Sequence, residues 1–507
     1  MAFSSILFKN KTALISETPA FFVDLNLVQV INTVIHGKEQ YNLKPFFNTC
    51  LRDPEAIVYR QETMKDMEKD ELFNCLTAFA TRMYAMRQQL PNPKANNYKY
   101  QDERFLLDAV NTYSTAIHSL SGDLAPMNIK SSGLLAFREY LVRYIQSPVF
   151  TSLFNDTQKL LTDLSSIKYC VLAKELKVQV ASYREETDYS AEVERTFEKF
   201  KREAIKDYSM KFTPNLQMNH VEASILEGVA QLYPLVFQQL SDFCTKYADF
   251  QDETIITFDR EIQFYIAWLE FISKLKQSGL SFSYPEITSN NKNIYSHEGF
   301  DVALAYKLVK ENKPIVCNDF YLKNEERIFI VSGPNQGGKT TFARTFGQLH
   351  FLAALGCLVP GREAKLFLFD RLFTHFEKQE NITNLRSKLE DDLIRIHNIV
   401  QQATTNSIII MNEILSSTTL QDAVFLSKKL MEKIDRLDVL CVWVTFIDEL
   451  LSFSEKTVSV VSTVEPDNST IRTFKIERKP ADGLAFALSI AEKYHVTYSA
   501  LRNRIKL

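Results

Sequence analysis

The chain has 507 residues, which at about 100 to 200 residues per domain excludes a single small fold and sets an expectation of three or four domains. Lysine plus arginine total 59 and aspartate plus glutamate 62, a net charge of −3. Any nucleic-acid contact must therefore come from a local basic surface and not from the field of the whole protein. No apolar run approaches the ~20 residues of a membrane-spanning helix, and no secretory cleavage pattern follows the N-terminus. The seven cysteines stand apart without a C-x-x-C pair, as expected of reduced thiols in a cytoplasmic protein.

Only 13 residues are glycine, and six of them fall between Gly333 and Gly361, so the chain reads as mainly helical with one place where the backbone turns tightly. Asp24 to Leu90 is helical in period, broken around Arg52, Asp53 and Pro54. Leu90 to Glu103, rich in Pro, Asn and charge, reads as a surface loop, and helical spacing resumes from Arg104 to Ser166. Between Lys174 and Lys211 charge dominates, which predicts a long solvent-bathed arm with a helix over Ala191 to Tyr208. Apolar periodicity returns over Pro214 to Phe250 and Phe258 to Leu275. The Asn-rich segment Ser281 to Phe300 is the expected domain boundary. Beyond it, β-branched runs from Arg327, Ser407, Val439 and Thr457 alternate with helical stretches, the pattern of a sheet with helices packed on it.

RIFIVSGPNQGGKTT places a strand, a glycine loop and a helix start in succession, and Gly333 to Thr340 fits G-x-x-x-x-G-K-[ST], the phosphate loop. The loop of Gly333, Pro334, Asn335, Gln336, Gly337 and Gly338 with Lys339, Thr340 and Thr341 is expected to cradle a nucleotide's phosphates at a helix N-terminus, the backbone N–H groups of its non-proline residues donating. Lys339 would face the β and γ phosphates, and the Thr340 hydroxyl would ligate Mg²⁺. SIIIMNEI, Ser407 to Ile414, alone reads equally as a buried strand with a polar end. Behind a phosphate loop, its Glu413 suits a general base and Asn412 a partner of Mg²⁺ through water. RSKLEDD, from Arg386, begins a helix with Ser387 and Glu390 in a capping box. It is an ordinary capped helix or an anion site for a nucleotide held by another subunit.

Together GPNQGGKTT, RSKLEDD, IIIMNEI, STTLQDA and TFIDEL resemble the ATPase domain of the MutS family of DNA mismatch repair proteins, a branch of the ABC ATPases. The resemblance implies ATP and Mg²⁺ as cofactors, DNA as partner and a homodimer with no membrane. It implies that Ser387 reaches the partner subunit's ATP, that Thr418, Thr419 and Asp422 lie in a loop crossing the interface, and that adenine packs near Ile315 before the turn Val316 to Asp319. The expected fold is multidomain: an α-helical core, lever and clamp region followed by an α/β phosphate-loop ATPase domain of ABC type. Residues 1–170 form the helical core and lever, 171–285 the charged clamp-like excursion and helical return, and 286–507 the ATPase domain.

Three departures shape the functional expectation. The aspartate expected to hold Mg²⁺ is Asn412, the His expected after Thr445 is Phe446, and the family's glycine-containing loop reads Leu415, Ser416, Ser417, Thr418. About 330 residues precede the loop, which leaves no room for the family's mismatch-reading domain. The expected function is a dimeric ATP-driven clamp on repair or recombination DNA structures, slow in hydrolysis. The alternatives are a nucleotide-gated scaffold with weak or no hydrolysis, or an ABC-type ATPase acting on a ribosome or other non-DNA partner. His375 with Glu377 reads as surface polar groups in a loop and not as a metal pair, and His350 as a packed structural histidine.

Overall fold

Prolines and short polar side chains set where the helices of the N-terminal half begin. The computed structural model describes residues 3–91, 98–174, 177–185, 218–377, 388–465 and 468–480, with isolated positions at 189, 192, 195, 196, 496–498, 501 and 502. Helices α1 (Phe21–Asp24), α2 (Leu27–Val34) and α3 (Lys44–Asn48) precede α4 (Pro54–Met67), where Pro54 pre-sets φ and the Asp53 carboxylate accepts the Glu55 N–H. Then come α5 (Asp70–Gln89), α6 (Lys99–Leu124), α7 (Ser132–Ile145) and α8 (Pro148–Ser165), the last capped by the Ser147 hydroxyl. An antiparallel hairpin follows, β1 (Tyr169–Lys174) with β2 (Lys177–Ser182). It stands where charge predicted the start of a solvated arm; the alternation in KVQVAS is the period-two signal that the charge count obscured. The predicted helix Ala191 to Tyr208 lies almost wholly outside the described residues. Helix α9 (His220–Leu232) opens on a capping box between Asn219 and Glu222 and leads to α10 (Pro234–Lys246) and α11 (Glu253–Lys276).

The C-terminal half runs β3 (Phe282–Ser283), β4 (Glu286–Thr288), β5 (Ile294–Gly299), α12 (Val302–Lys310), β6 (Asn318–Leu322), β7 (Ile328–Ser332), α13 (Lys339–Ala354), β8 (Val359–Pro360), β9 (Glu363–Phe367), β10 (Leu372–Phe376), α14 (Lys388–Gln402), β11 (Ile408–Asn412), α15 (Leu420–Leu437), β12 (Leu440–Val444), β13 (Thr457–Glu465) and β14 (Asn468–Arg478). The main sheet has the order β10-β11-β12-β7-β13-β14, with every pair parallel except β13 with β14. Helices on both faces bury its strands, which is why β7, β11 and β12 are unbroken apolar runs. The segment Ser281 to Phe300 carries three short strands: β3 pairs with β8, and β4 and β5 enter a smaller sheet, β4-β9-β5-β6. In β5 the polar residues alternate with the buried Ile294 and Ser296.

Contacts divide the chain into two units: Met1–Phe3, Asp70–Asn128 and Leu135–Asp259 in one, and Ser4–Lys69, Ile129–Leu134 and Arg260–Leu507 in the other. The ranges 1–170, 171–285 and 286–507 do not coincide with these. The first unit is helical, with α5 against α6 and a satellite cluster of Val229, Ala230 and Phe237 packed on Tyr100, Ile167 and Val180. In the second, residues 4–69 pack on α13. Phe21 and Phe22 meet Phe351, Leu25 touches Gly347, and the buried Arg60 guanidinium donates to the Leu355 carbonyl at the end of that helix at 2.9 Å. No helix among the described residues is long and apolar enough to cross a membrane.

Candidate nucleotide site

Strand β7 is flanked by β12 and β13 and buried at every position, so the loop after it opens at the edge of the parallel strands' carboxyl ends. Two glycines are required there by close packing. A Cβ on Gly333 or Gly337 would fall 2.7 or 2.4 Å from Ser462 Oγ on β13, and Gly333 also takes φ 111°. Gln336 adopts φ 61° and Gly338 φ 95°, and the Gly337 N–H turns back to the Pro334 carbonyl at 3.2 Å. Phe342 N then bonds Gly338 O, and α13 begins with its free amides toward the loop.

Lys339 is buried in this loop, with Nζ donating to the Gly333 carbonyl at 2.8 Å, the Pro334 carbonyl at 3.3 Å and Asn335 Oδ1 at 3.1 Å, and lying 3.9 Å from Glu413 Oε1. Burial holds its pKa below the ordinary lysine value, Glu413 opposes that shift, and Arg472 adds to it. Glu413 stands just beyond β11 at φ 52°, a strained conformation for a non-glycine residue that aims its side chain back over the loop. The Thr340 hydroxyl donates to Asn412 Oδ1 at 3.0 Å. Lys339, Thr340, Asn412 and Glu413 therefore converge, although about 70 residues separate the two motifs.

Thr340 and Asn412 present two neutral oxygens at one point. They fit a Mg²⁺ ion held mainly by phosphate and water oxygens. Among the described residues no group of three or more His, Cys, Asp or Glu gathers to hold a metal alone, so the ion would arrive with the nucleotide. Ile315 is half-buried before β6, and the following turn is tied to β14: Asn318 donates to the Phe474 carbonyl at 3.1 Å and accepts from Ile476 N at 2.7 Å, while Lys475 Nζ reaches the Cys317 carbonyl. Thr341 passes its carbonyl to the Thr345 hydroxyl within α13. Thr419 and Asp422 are exposed and Thr418 half-buried; Thr419 is the N-cap of α15, accepting from Asp422 N, and both threonines face the Asp422 carboxylate. Ser387 lies outside the described residues. Phe446 is exposed.

Two residues escaped the motif reading. Ser462, buried and packed on both loop glycines, and Arg472, whose Nε donates to the Asn335 carbonyl at 3.3 Å, come from β13 and β14. The first lay inside a recognised strand run, but nothing in the sequence pointed it at the loop. His375 corrects an expectation: it is not in a surface loop but in β10, buried, with Nε2 3.0 Å from Asp392 Oδ1. Pairing of β10 with β11 draws it inside. Glu377, just beyond, is exposed and bound to Lys388. His350 is the packed residue expected, its Nδ1–H donating to the Phe346 carbonyl at 2.8 Å.

A glycine loop between a buried parallel strand and a helix, with a lysine inside it and a carboxylate just beyond the end of β11, two strands away in the same sheet, defines a phosphate-loop nucleotide-binding domain. Residues 329–502 match the family model described as MutS domain V. Proteins named DNA mismatch repair protein MutS are similar to part of the chain: one from a Geobacillus species at 29% identity over 35% of this chain and 21% of that protein, one from Fervidobacterium nodosum at 26% over 47% and 28%, and one from Rickettsia rickettsii at 32% over 29% and 17%. Over this stretch the chain is similar to the MutS family's domain V. The matched stretch spans no more than 28% of the length of these relatives.

Proposed function

We propose that the chain binds ATP with Mg²⁺ in the loop Gly333 to Thr341, hydrolyses it slowly with Glu413 as general base, and uses the cycle as a cytoplasmic homodimeric clamp on DNA repair or recombination structures. The observation that carries the nucleotide part is the convergence of Lys339, Thr340, Asn412 and Glu413 at the end of β7 and β11. The DNA part rests on the similarity to proteins named DNA mismatch repair protein MutS. Lys339→Ala removes the cation inside the loop and is expected to abolish ATP binding in a fluorescence titration. Glu413→Gln is expected to keep binding, lose turnover, and sediment as a dimer in ATP; equal loss of binding in both variants contradicts the roles. Binding to duplex, mismatched, branched and single-stranded DNA should weaken steeply as salt rises, because phosphate contacts release counterions. A flat salt response across the panel removes DNA as the partner.

The second reading is a nucleotide-gated scaffold. It is favoured by one feature, the amide at position 412, which accepts the Thr340 hydroxyl but brings no charge to the metal. Tight ATP binding with no turnover in the wild type selects it.

A further inference from the structure

Asp24 closes α1, some 310 residues before the phosphate loop, and is buried. Its Oδ2 accepts from the Thr374 hydroxyl at 2.7 Å and from Arg395 Nη2 at 2.8 Å, and its carbonyl accepts from Arg344 Nε at 2.9 Å. Thr374 is on β10, Arg395 on α14 and Arg344 on α13, the helix that leaves the loop, so one residue joins three elements. A buried carboxylate persists only with such partners, and losing one leaves the others uncompensated.

On α14, Lys388, Asp392 and Arg395 are spaced four and three apart and form one stripe. The groups facing it come from β10 and its end. Arg395 also donates to the Thr374 carbonyl at 2.9 Å, Asp392 meets His375 Nε2 at 3.0 Å, and Lys388 binds Glu377. Glu377 Oε1 in turn accepts from Ser416 Oγ at 3.0 Å. Ser416 is three residues beyond Glu413, on the loop that leaves β11. The polar stripe therefore runs from Asp24 and the phosphate-loop helix at one end to the loop of Glu413 at the other.

We infer that Asp24 is a positioning residue: by tying Arg395 of α14 to Thr374 of β10 and to Arg344 of α13, it fixes α14 and, through Lys388, Glu377 and Ser416, the placing of Glu413 over the phosphate loop. This rests on the nucleotide reading above. The segment before residue 69 is then part of the hydrolytic apparatus, although it touches no phosphate.

The test uses the full chain with Asp24→Asn, Arg395→Met and the double variant, read by hydrogen exchange, ATP affinity and turnover. Arg395 is partly exposed and in its variant Asp24 keeps the Thr374 hydroxyl, while Asp24→Asn leaves no buried charge, so the two variants carry different folding risks and a melting curve of each precedes the comparison. Each single variant is expected to speed amide exchange over 388–402 without nucleotide, to keep ATP affinity within about twofold, and to lower turnover about tenfold, the usual loss for a partner one shell out. The double variant is expected to lose no more than either single one, as for two ends of one contact. Unchanged exchange over 388–402, or unchanged turnover at faster exchange, overturns the proposal, as does a double loss equal to the product. If ATP fails to protect 339–354 in the wild type, the nucleotide reading falls instead.

Discussion

Asn412 concentrates the chemistry of the site into one atom. A carboxylate at this place accepts strongly from metal-bound water and adds negative charge, whereas the amide offers one neutral oxygen, already engaged by Thr340. Loss of such a partner costs roughly 10 to 100-fold in metal affinity or activity. Asn412→Asp is therefore expected to lower the Mg²⁺ concentration for half-maximal ATP turnover, measured by phosphate release across a Mg²⁺ titration. No change in turnover or Mg²⁺ dependence would mean that position 412 does not serve the metal. The identity of this residue was legible in the sequence; its 3.0 Å contact with Thr340 was not, because nothing local to either residue fixes the distance between a strand end and the first turn of a helix about 70 residues earlier.

Helix α13 is the element on which the site depends, and it is buried along most of its length. Its loop end holds Lys339; its far end holds His350, whose pKa burial pushes down from 6.5 to about 4. The unfolded chain binds this proton first as pH falls, so stability present above pH 6.5 is lost progressively toward pH 4, about 3 kcal/mol in all at 1.36 kcal/mol per unit. His350→Leu keeps the volume and removes the proton. Its Tm is expected to fall less than that of the wild type between pH 6.5 and 4, and parallel curves in calorimetry would contradict the burial argument. The aromatic wall of Phe320, Phe329, Phe342 and Phe346 fixes the same helix against β6 and β7. Its helical period was readable, but the absence of a polar face meant that periodicity could not say which neighbours cover it.

At the scale of the molecule, the unit that carries the nucleotide site includes residues 4–69 from the other end of the chain. They cover α13 through Phe21, Phe22 and Leu25, and Arg60 satisfies the Leu355 and Leu7 carbonyls from a fully buried position. Residues 286–507 alone would expose Phe351 and leave the helix end uncapped, so that fragment is expected to lack cooperative unfolding and ATP affinity. A fragment that melts sharply and binds ATP as the full chain does would refute this. The amino-acid sequence by itself determined the phosphate loop, the strand ending in Asn412 with Glu413 just beyond it, the four β-branched strand runs and the largely helical character of the first half, because each is written in neighbouring residues as glycine spacing or hydrophobic period. Only the tertiary structure decided that Ser281 to Phe300 carries three short strands, that His375 is inside, that Ser462 and Arg472 close on the loop, and that Asp24 reaches α14. These depend on contacts between residues tens to hundreds of positions apart, whose partners are chosen by packing and by the need to satisfy buried polar groups, and no local pattern encodes that choice.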